Sequence, residues 1–333
     1  MRQSSEVTWS HVVRAGIAVG LLMTVAAARA QDWPARPVTL VVPFAAGGPT
    51  DVLGRVLAQR MGELLSQQIV IENVVGAGGT TGASRIARAA PDGHQALLGN
   101  IATHAFSQTL YKRPPYDAIA DFAPVGLVPG GAWVLVARKD LPVSTLKEFA
   151  AYARANQGRM QYGSAGIGSG THITCVLLNI ALGTRITHVP YRGSSPAMQD
   201  LVAGRIDFLC DVISTAVPQI EAGAVKAIAT LGESRAAVLP NVPTAGEQGF
   251  AEFDGNGWNA LFFPKGTPDS IVQRMSRAAS DAQDTPAVRQ RLESLGLRIP
   301  PPDQRTPQYL AKLIPIEIAR WAGPIKASGA QVD

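Results

Sequence analysis

Lysine never follows glycine in this 333-residue chain, which removes the phosphate-binding loop of nucleotide hydrolases. The dinucleotide fingerprint G-x-G-x-x-G fails too. In residues 76–82 the third glycine falls one position late, and in residues 166–171 a threonine fills its slot. A serine elbow, G-x-S-x-G, occurs around neither Ser164 nor Ser169. Histidine is scarce: beyond His11 there are only His94, His104, His172 and His188, with no pair four residues apart, and two cysteines add little, so no metal site is expected. Charged residues make up 17% of the chain and form no basic stripe, which speaks against a nucleic-acid partner. After the first 30 residues no run of ~20 apolar residues offers a membrane span.

The first 30 residues read as a secretory signal peptide. Arg2 and Arg14 bracket a polar lead, residues 15–28 carry no charge, and Ala28-Arg29-Ala30 supplies small residues at the cleavage positions. The apolar run is shorter than a bilayer needs, and a buried N-terminal helix is the competing reading. The expectation is cleavage after Ala30 and an exported protein. Removal of residues 1–30 takes Arg2, Arg14, Arg29 and Glu6, leaving 27 basic residues against 24 acidic ones. In an oxidising compartment Cys175 and Cys210 read either as a disulfide or as two small core residues.

From Val38 onward, short β-branched runs alternate with amphipathic stretches. Strands are expected at 38–44, 68–73, 95–99, 133–137, 160–163, 186–189, 206–209, 225–231 and 258–263, with helices between most of them and helical stretches to about residue 325. This spacing predicts an α/β fold of βαβ units, with parallel strands covered by helices on both faces. The proline- and glycine-rich stretch 233–257 interrupts the rhythm, and one late strand follows it. Two crossings between domains, near residues 129–133 and 253–257, then give a discontinuous first domain (31–132 plus 255–333) and a second domain (133–254).

Three strand-to-helix turns are rich in glycine, serine and threonine: residues 44–51, 164–172 and 188–196. A helix N-terminus presents unpaired amides and a partial positive charge, so such turns suit an anion. In open α/β sheets they gather beyond the carboxyl ends of the strands. The first turn belongs to one expected domain and the other two to its neighbour, so a cleft between them would face helix N-termini from both sides. A hydrolase using Ser169 or Ser164 with His172, or a triad of Ser169, His172 and Asp211, is the competing reading, since triads assemble from distant positions.

The stretches PVTLVVPFAAGGPTDVLGR, IENVVGAGGTTGASRIARAAPDGH, YGSAGIGSGTHIT, THVPYRGSSPAMQDLVAGRIDF and LPNVPTAGEQGF, in that order, resemble the tripartite tricarboxylate transporter receptors, the Bug-type periplasmic solute-binding proteins. The resemblance runs from Trp33 to near the end. It implies a two-domain type II periplasmic binding fold, with the ligand cleft between domains joined by two hinge crossings. It also implies a non-enzymatic monomer without cofactor, which closes on a small organic carboxylate, a dicarboxylate or an aromatic acid. Delivery would be to a membrane carrier of one large and one small subunit. Ligand contacts carried over from the family fall on Phe44, Ala46, Gly47, Gly48, Thr50 and Asp51, on Ser164, Gly168, Thr171 and His172, and on Tyr191, Arg192 and Gly193. Many relatives carry lysine where Arg192 stands. Asp211 falls in a loop that varies between members and helps to sort ligands. One group of relatives carries cysteines matching Cys175 and Cys210, which favours the bridge.

Overall fold

The structure, a computed structural model, describes residues 33–250 and 257–332. The expected signal peptide and most of the second expected crossing lie outside the described residues. The chain begins with β1 (Val38–Val42), α1 (Pro49–Leu65), β2 (Ile69–Asn73), α2 (Thr80–Ala87), β3 (Gln95–Asn100), α3 (Ser107–Leu110), β4 (Phe122–Val128) and β5 (Gly130–Gly131). It continues with β6 (Trp133–Arg138), α4 (Leu146–Asn156), β7 (Gln161–Ser164), α5 (Gly170–Leu182), β8 (Thr187–Pro190), α6 (Ser194–Val202), β9 (Phe208–Val212), α7 (Ile213–Glu221) and β10 (Val225–Leu231). The last part holds β11 (Asn259–Pro264), α8 (Asp269–Asp284), α9 (Pro286–Ser294), β12 (Leu297–Arg298) and α10 (Pro307–Ala327).

These strands build two five-stranded sheets, ordered β2-β1-β3-β11-β4 and β10-β6-β9-β7-β8, and each sheet is the centre of one lobe. Helices cover both faces of each. In the first lobe, Leu40, Val42, Leu98 and Phe263 pack toward α1 and α8, while Val41, Leu97 and Phe262 pack toward α2 and α10. In the second, Leu135, Tyr162 and Phe208 face α4 and α5, and Val134, Val136 and Leu209 face α6 and α7.

The expectation of parallel strands needs correction. β1 pairs parallel with β2 and β3, and β7 parallel with β8 and β9, but β11 runs antiparallel to β3 and β4, and β6 antiparallel to β9 and β10. The exceptions share a cause. β6 and β11 are each the first strand of a five-stranded sheet to follow a passage between lobes, so each enters its sheet from the end where the parallel strands finish. Further elements escape the sequence pattern. β4 contains Pro124 and Gly126, which a sheet tolerates because β4 is an edge strand with a register shift opposite Leu261 and Phe262. Residues 102–106 form a π-helical turn, and β12 pairs with β5.

Local sequence explains the helix starts. Thr145 and Glu148 form a reciprocal capping box on α4, and the Ser169 hydroxyl accepts the His172 amide at the head of α5. Helix α1 starts at Gly48 with Pro49 in its first turn, where a missing N–H costs nothing. Cys175 on α5 and Cys210 on β9 are joined by a disulfide, with Cα atoms 5.5 Å apart.

Candidate functional site

Between the lobes lies a cavity with ≈ 60 Å³ of space open to the centres of water molecules. From the first lobe come Phe44, Pro49, Thr50, Asn100, Ile101 and Asn259. The second contributes Trp133, Ala165, Ser169, Gly170, Thr171, Ser194 and Val212, and Gly131, Gly257, Trp258 and Leu297 close the hinge side. None of these side chains carries a charge.

What they carry is helix N-termini. Pro49 and Thr50 start α1, Gly170 and Thr171 start α5, and Ser194 starts α6. An α-helix gives its first amides no internal acceptor, so Thr50, Asp51, Gly170, Thr171, Ser194 and Ser195 hold N–H groups that their own helices leave unpaired. The next amides are already engaged: Val52 bonds to the Gly48 carbonyl at 2.9 Å and Ile173 to the Ser169 carbonyl at 3.1 Å. Three partial positive charges therefore meet at one small, uncharged space.

The turns are held from behind. The Asp51 carboxylate accepts the Gly47 amide, the Arg55 guanidinium and the Asn73 amide, at 2.9 Å each. Burial pushes this carboxyl up, but those bonds together with the Arg55 charge outweigh it and hold it below its ordinary value. The Thr171 hydroxyl accepts the Ala165 amide at 2.8 Å, and His172 Nδ1 accepts the Gly168 amide at 3.2 Å. His172 stacks on His188 at 4.2 Å. Burial, helped by the neighbouring His188, lowers His172 to about 3, and burial lowers His188 to about 4, so both rings are neutral.

Of the residues singled out from sequence, Phe44, Thr50, Ser169 and Thr171 line the cavity. Asp51, Ser164, His172 and Gly168 are buried directly behind it and shape its turns. Gly193 and Gly47 lie where the lobes touch: a β-carbon on Gly193 would sit 2.6 Å from Ala45 Cβ, and one on Gly47 would sit 3.3 Å from Ser195 Oγ. Gly48 caps α1. Ala46 and Arg192 are exposed, and the Tyr191 hydroxyl is turned to Asp200, at 2.6 Å. Asp211 is fully buried behind Ser194 and Val212.

The serine pairings considered from sequence are not formed. The Ser169 hydroxyl meets Thr171 Oγ1 at 3.1 Å and the His172 amide at 3.3 Å rather than the imidazole. Ser164 instead bonds His188 Nε2 at 2.6 Å, outside the cavity lining. Among the described residues no carboxylate hydrogen-bonds either imidazole, and no group of three His, Cys, Asp or Glu is placed to hold a metal. Sequence reasoning missed Asn100, Trp133, Ser194, Trp258 and Asn259. The signal for Asn100 was a polar residue ending the apolar strand 95–99. Its Oδ1 caps the π-helical turn through the Ala102 and Thr103 amides, at 3.0 and 3.2 Å.

The model of the family described as tripartite tricarboxylate transporter family receptor matches residues 53–330. MatC from Rhodopseudomonas palustris, with bound malate, is 43% identical, covers 88% of this chain and 100% of its own, and has a TM-score of 0.86. The periplasmic binding protein BugD is 36% identical over 90% of this chain and 99% of its own, with a TM-score of 0.87. A second R. palustris protein, with adipate, is 33% identical over 90% and 99%, with a TM-score of 0.85. Among the described residues no helix is long and apolar enough to cross a membrane.

Proposed function

The chain belongs to the tripartite tricarboxylate transporter receptor family, and from that premise we propose that it captures a short organic dicarboxylate between its lobes and presents it to a membrane carrier. One observation carries the reading: a cavity between the lobes whose lining has no charged side chain, at which three helix N-termini converge. Each terminus favours an anion by about 0.3–1 kcal/mol, up to ~2 when partly buried, and hydrogen bonds to charged groups are worth roughly 1.5–3 kcal/mol each. Micromolar affinity needs about 8 kcal/mol, so a few amide contacts on each carboxylate suffice. Malate and adipate, bound in two similar proteins, belong to this class.

In this reading the protein acts as a periplasmic monomer, after cleavage following Ala30. Residues 31–132 with 255–333 close against residues 133–254, and the closed form docks on a carrier of one large and one small subunit. Phe44, Thr50 and Thr171 touch the acid, while Asp51 and His172 hold the amides in place. No turnover takes place. Thermal-shift and calorimetric titration with malate, adipate and benzoate tests this. A diacid should raise the melting temperature, since a ligand that binds only the native state stabilises it. The reading fails if no carboxylate shifts the melting temperature, or if bound acid is chemically changed.

A further inference from the structure

The second-lobe wall of the cavity hides polar atoms that the protein leaves unpartnered. Ser194 lines the cavity, yet its hydroxyl is buried without a hydrogen-bond partner. Behind it, one oxygen of Asp211 accepts the Thr215 hydroxyl at 2.7 Å, while Oδ1 is buried with no partner. Asp211 is 0% exposed, and the hydroxyls of Ser195 and Ser214 are orphaned in the same way.

Among the described residues no cation pairs with this carboxyl. Asp211 follows Cys210 on β9, so it leaves the sheet on the face opposite the disulfide, beneath α6 and α7. Its neighbour across the sheet on β6 is Val134. Helix α6 carries Asp200, which is engaged by Tyr191 and Arg205, and α7 carries only Glu221, at its far end. The first lobe brings Asp51 and Arg55, already bonded to each other, and Arg291 lines the outer groove shared with Ser195, Ser214 and Thr215. None of these forms an ion pair or hydrogen bond with Asp211. A buried carboxylate without a counter-ion is costly, and the neutral acid avoids that cost. Burial accordingly pushes Asp211 up from its ordinary value, against smaller opposing effects of Thr215, Ser194 and the Val212 backbone.

We propose that Asp211 takes up a proton from solvent when the lobes close on a dicarboxylate, and that Ser194 relays this state to the ligand. The neutral acid donates to the Ser194 oxygen, and the Ser194 hydroxyl then points its own proton at the ligand carboxylate. Ionised, Asp211 accepts from Ser194 and leaves only lone pairs facing the anion. Ser194 and Asp211 thereby act together as a device selecting for anions. The inference rests on the dicarboxylate reading above.

Calorimetry with malate and with adipate, from about pH 6.5 to about pH 8.5 and in buffers of different protonation enthalpy, tests the relay. In this range both acids have lost their own protons. The wild type should take up protons on binding and lose affinity as the pH rises, by no more than about tenfold per pH unit for a single proton. Asp211→Asn should abolish the slope, and Ser194→Ala should weaken binding roughly tenfold or more. A flat wild-type profile, a slope retained in Asp211→Asn, or normal binding by Ser194→Ala overturns the relay while leaving the receptor reading intact. A wild-type proton count near zero overturns the relay even if Asp211→Asn does not fold. A wild type that binds neither acid overturns the dicarboxylate reading and the relay with it.

Discussion

A β-carbon placed on Gly78 would lie 2.3 Å from the carbonyl oxygen of Ile167, a residue of the opposite lobe. Gly78 sits at φ +61°, and the facing turn is equally tight, since a β-carbon on Gly168 would lie 2.5 Å from Leu110 Cδ2. The glycine-rich turn 76–79, which fails the dinucleotide fingerprint, lies outside the cavity lining and serves as a contact pad between the lobes.

Gly78→Ala should therefore hold the lobes apart and weaken diacid binding by about tenfold or more. Gly204→Ala is the control, because Gly204 has φ +73° and nothing within 4 Å of its added carbon. It imposes similar left-handed strain without the clash. Calorimetry compares the affinities, and small-angle scattering with saturating malate should show compaction in the control and less in Gly78→Ala. Equal affinity in both variants would show that closure does not need this glycine.

How much of this was legible follows from where the information lies. The turns at 44–51 and 164–172 were readable because glycine, proline and N-capping serine act locally. Trp133 and Trp258 were not, since nothing local says that one strand-opening tryptophan faces a cavity and another the hinge. Arg192 attracts attention as a cation in a glycine turn, but its exposure follows from packing that brings Gly193 against Ala45. The direction of β6 and β11 depends on the lobe from which the chain arrives, a property of topology rather than of residues. Pro124 disguised β4, since only its edge position makes proline tolerable there.

His104 makes a prediction about acid stability. It is fully buried, its ring stacks on Phe262 at 3.6 Å, and its Nδ1 meets Thr103 Oγ1 at 2.9 Å. Burial lowers it from 6.5 to about 3. Above pH 6.5 the ring is neutral whether the chain is folded or not, and nothing is lost. Between 6.5 and about 3 only the unfolded chain takes up the proton, so stability falls with pH by about 1.4 kcal/mol per unit from this residue. Urea unfolding of the wild type and of His104→Phe across that window should differ in slope by close to one proton. Parallel curves would show that His104 titrates normally in the folded protein.

Reduction of the Cys175–Cys210 bridge should lower stability by about 2–4 kcal/mol, as expected for a loop of this size. The bridge ties the first turns of α5, which bring Thr171 to the cavity, to the end of β9, which carries Asp211. Cys175→Ser with Cys210→Ser should therefore weaken malate binding as well as lower the urea midpoint. Unchanged midpoints with and without reductant would mean that the bridge contributes nothing measurable.

The length of the diacid should be governed by Trp133. Its ring fills the space that two glycines leave open: a β-carbon on Gly170 would lie 2.9 Å from Cζ2, and one on Gly257 would lie 3.1 Å from the same atom. The tryptophan therefore sits against the head of α5 on one side and the return passage on the other, and its ring forms part of the cavity wall. Trp133→Leu should lengthen the cavity at a moderate cost in stability, whereas Trp133→Ala risks about 3–5 kcal/mol. Adipate carries two methylenes more than a four-carbon diacid, each worth about 0.8 kcal/mol when buried. The ratio of adipate to malate affinity should thus rise about tenfold in Trp133→Leu, through tighter adipate binding and weaker malate binding. Calorimetric titration of both acids against both proteins measures the ratio directly. A ratio that stays at the wild-type value would assign the length limit to another wall of the cavity, with Trp258 the next residue to shorten.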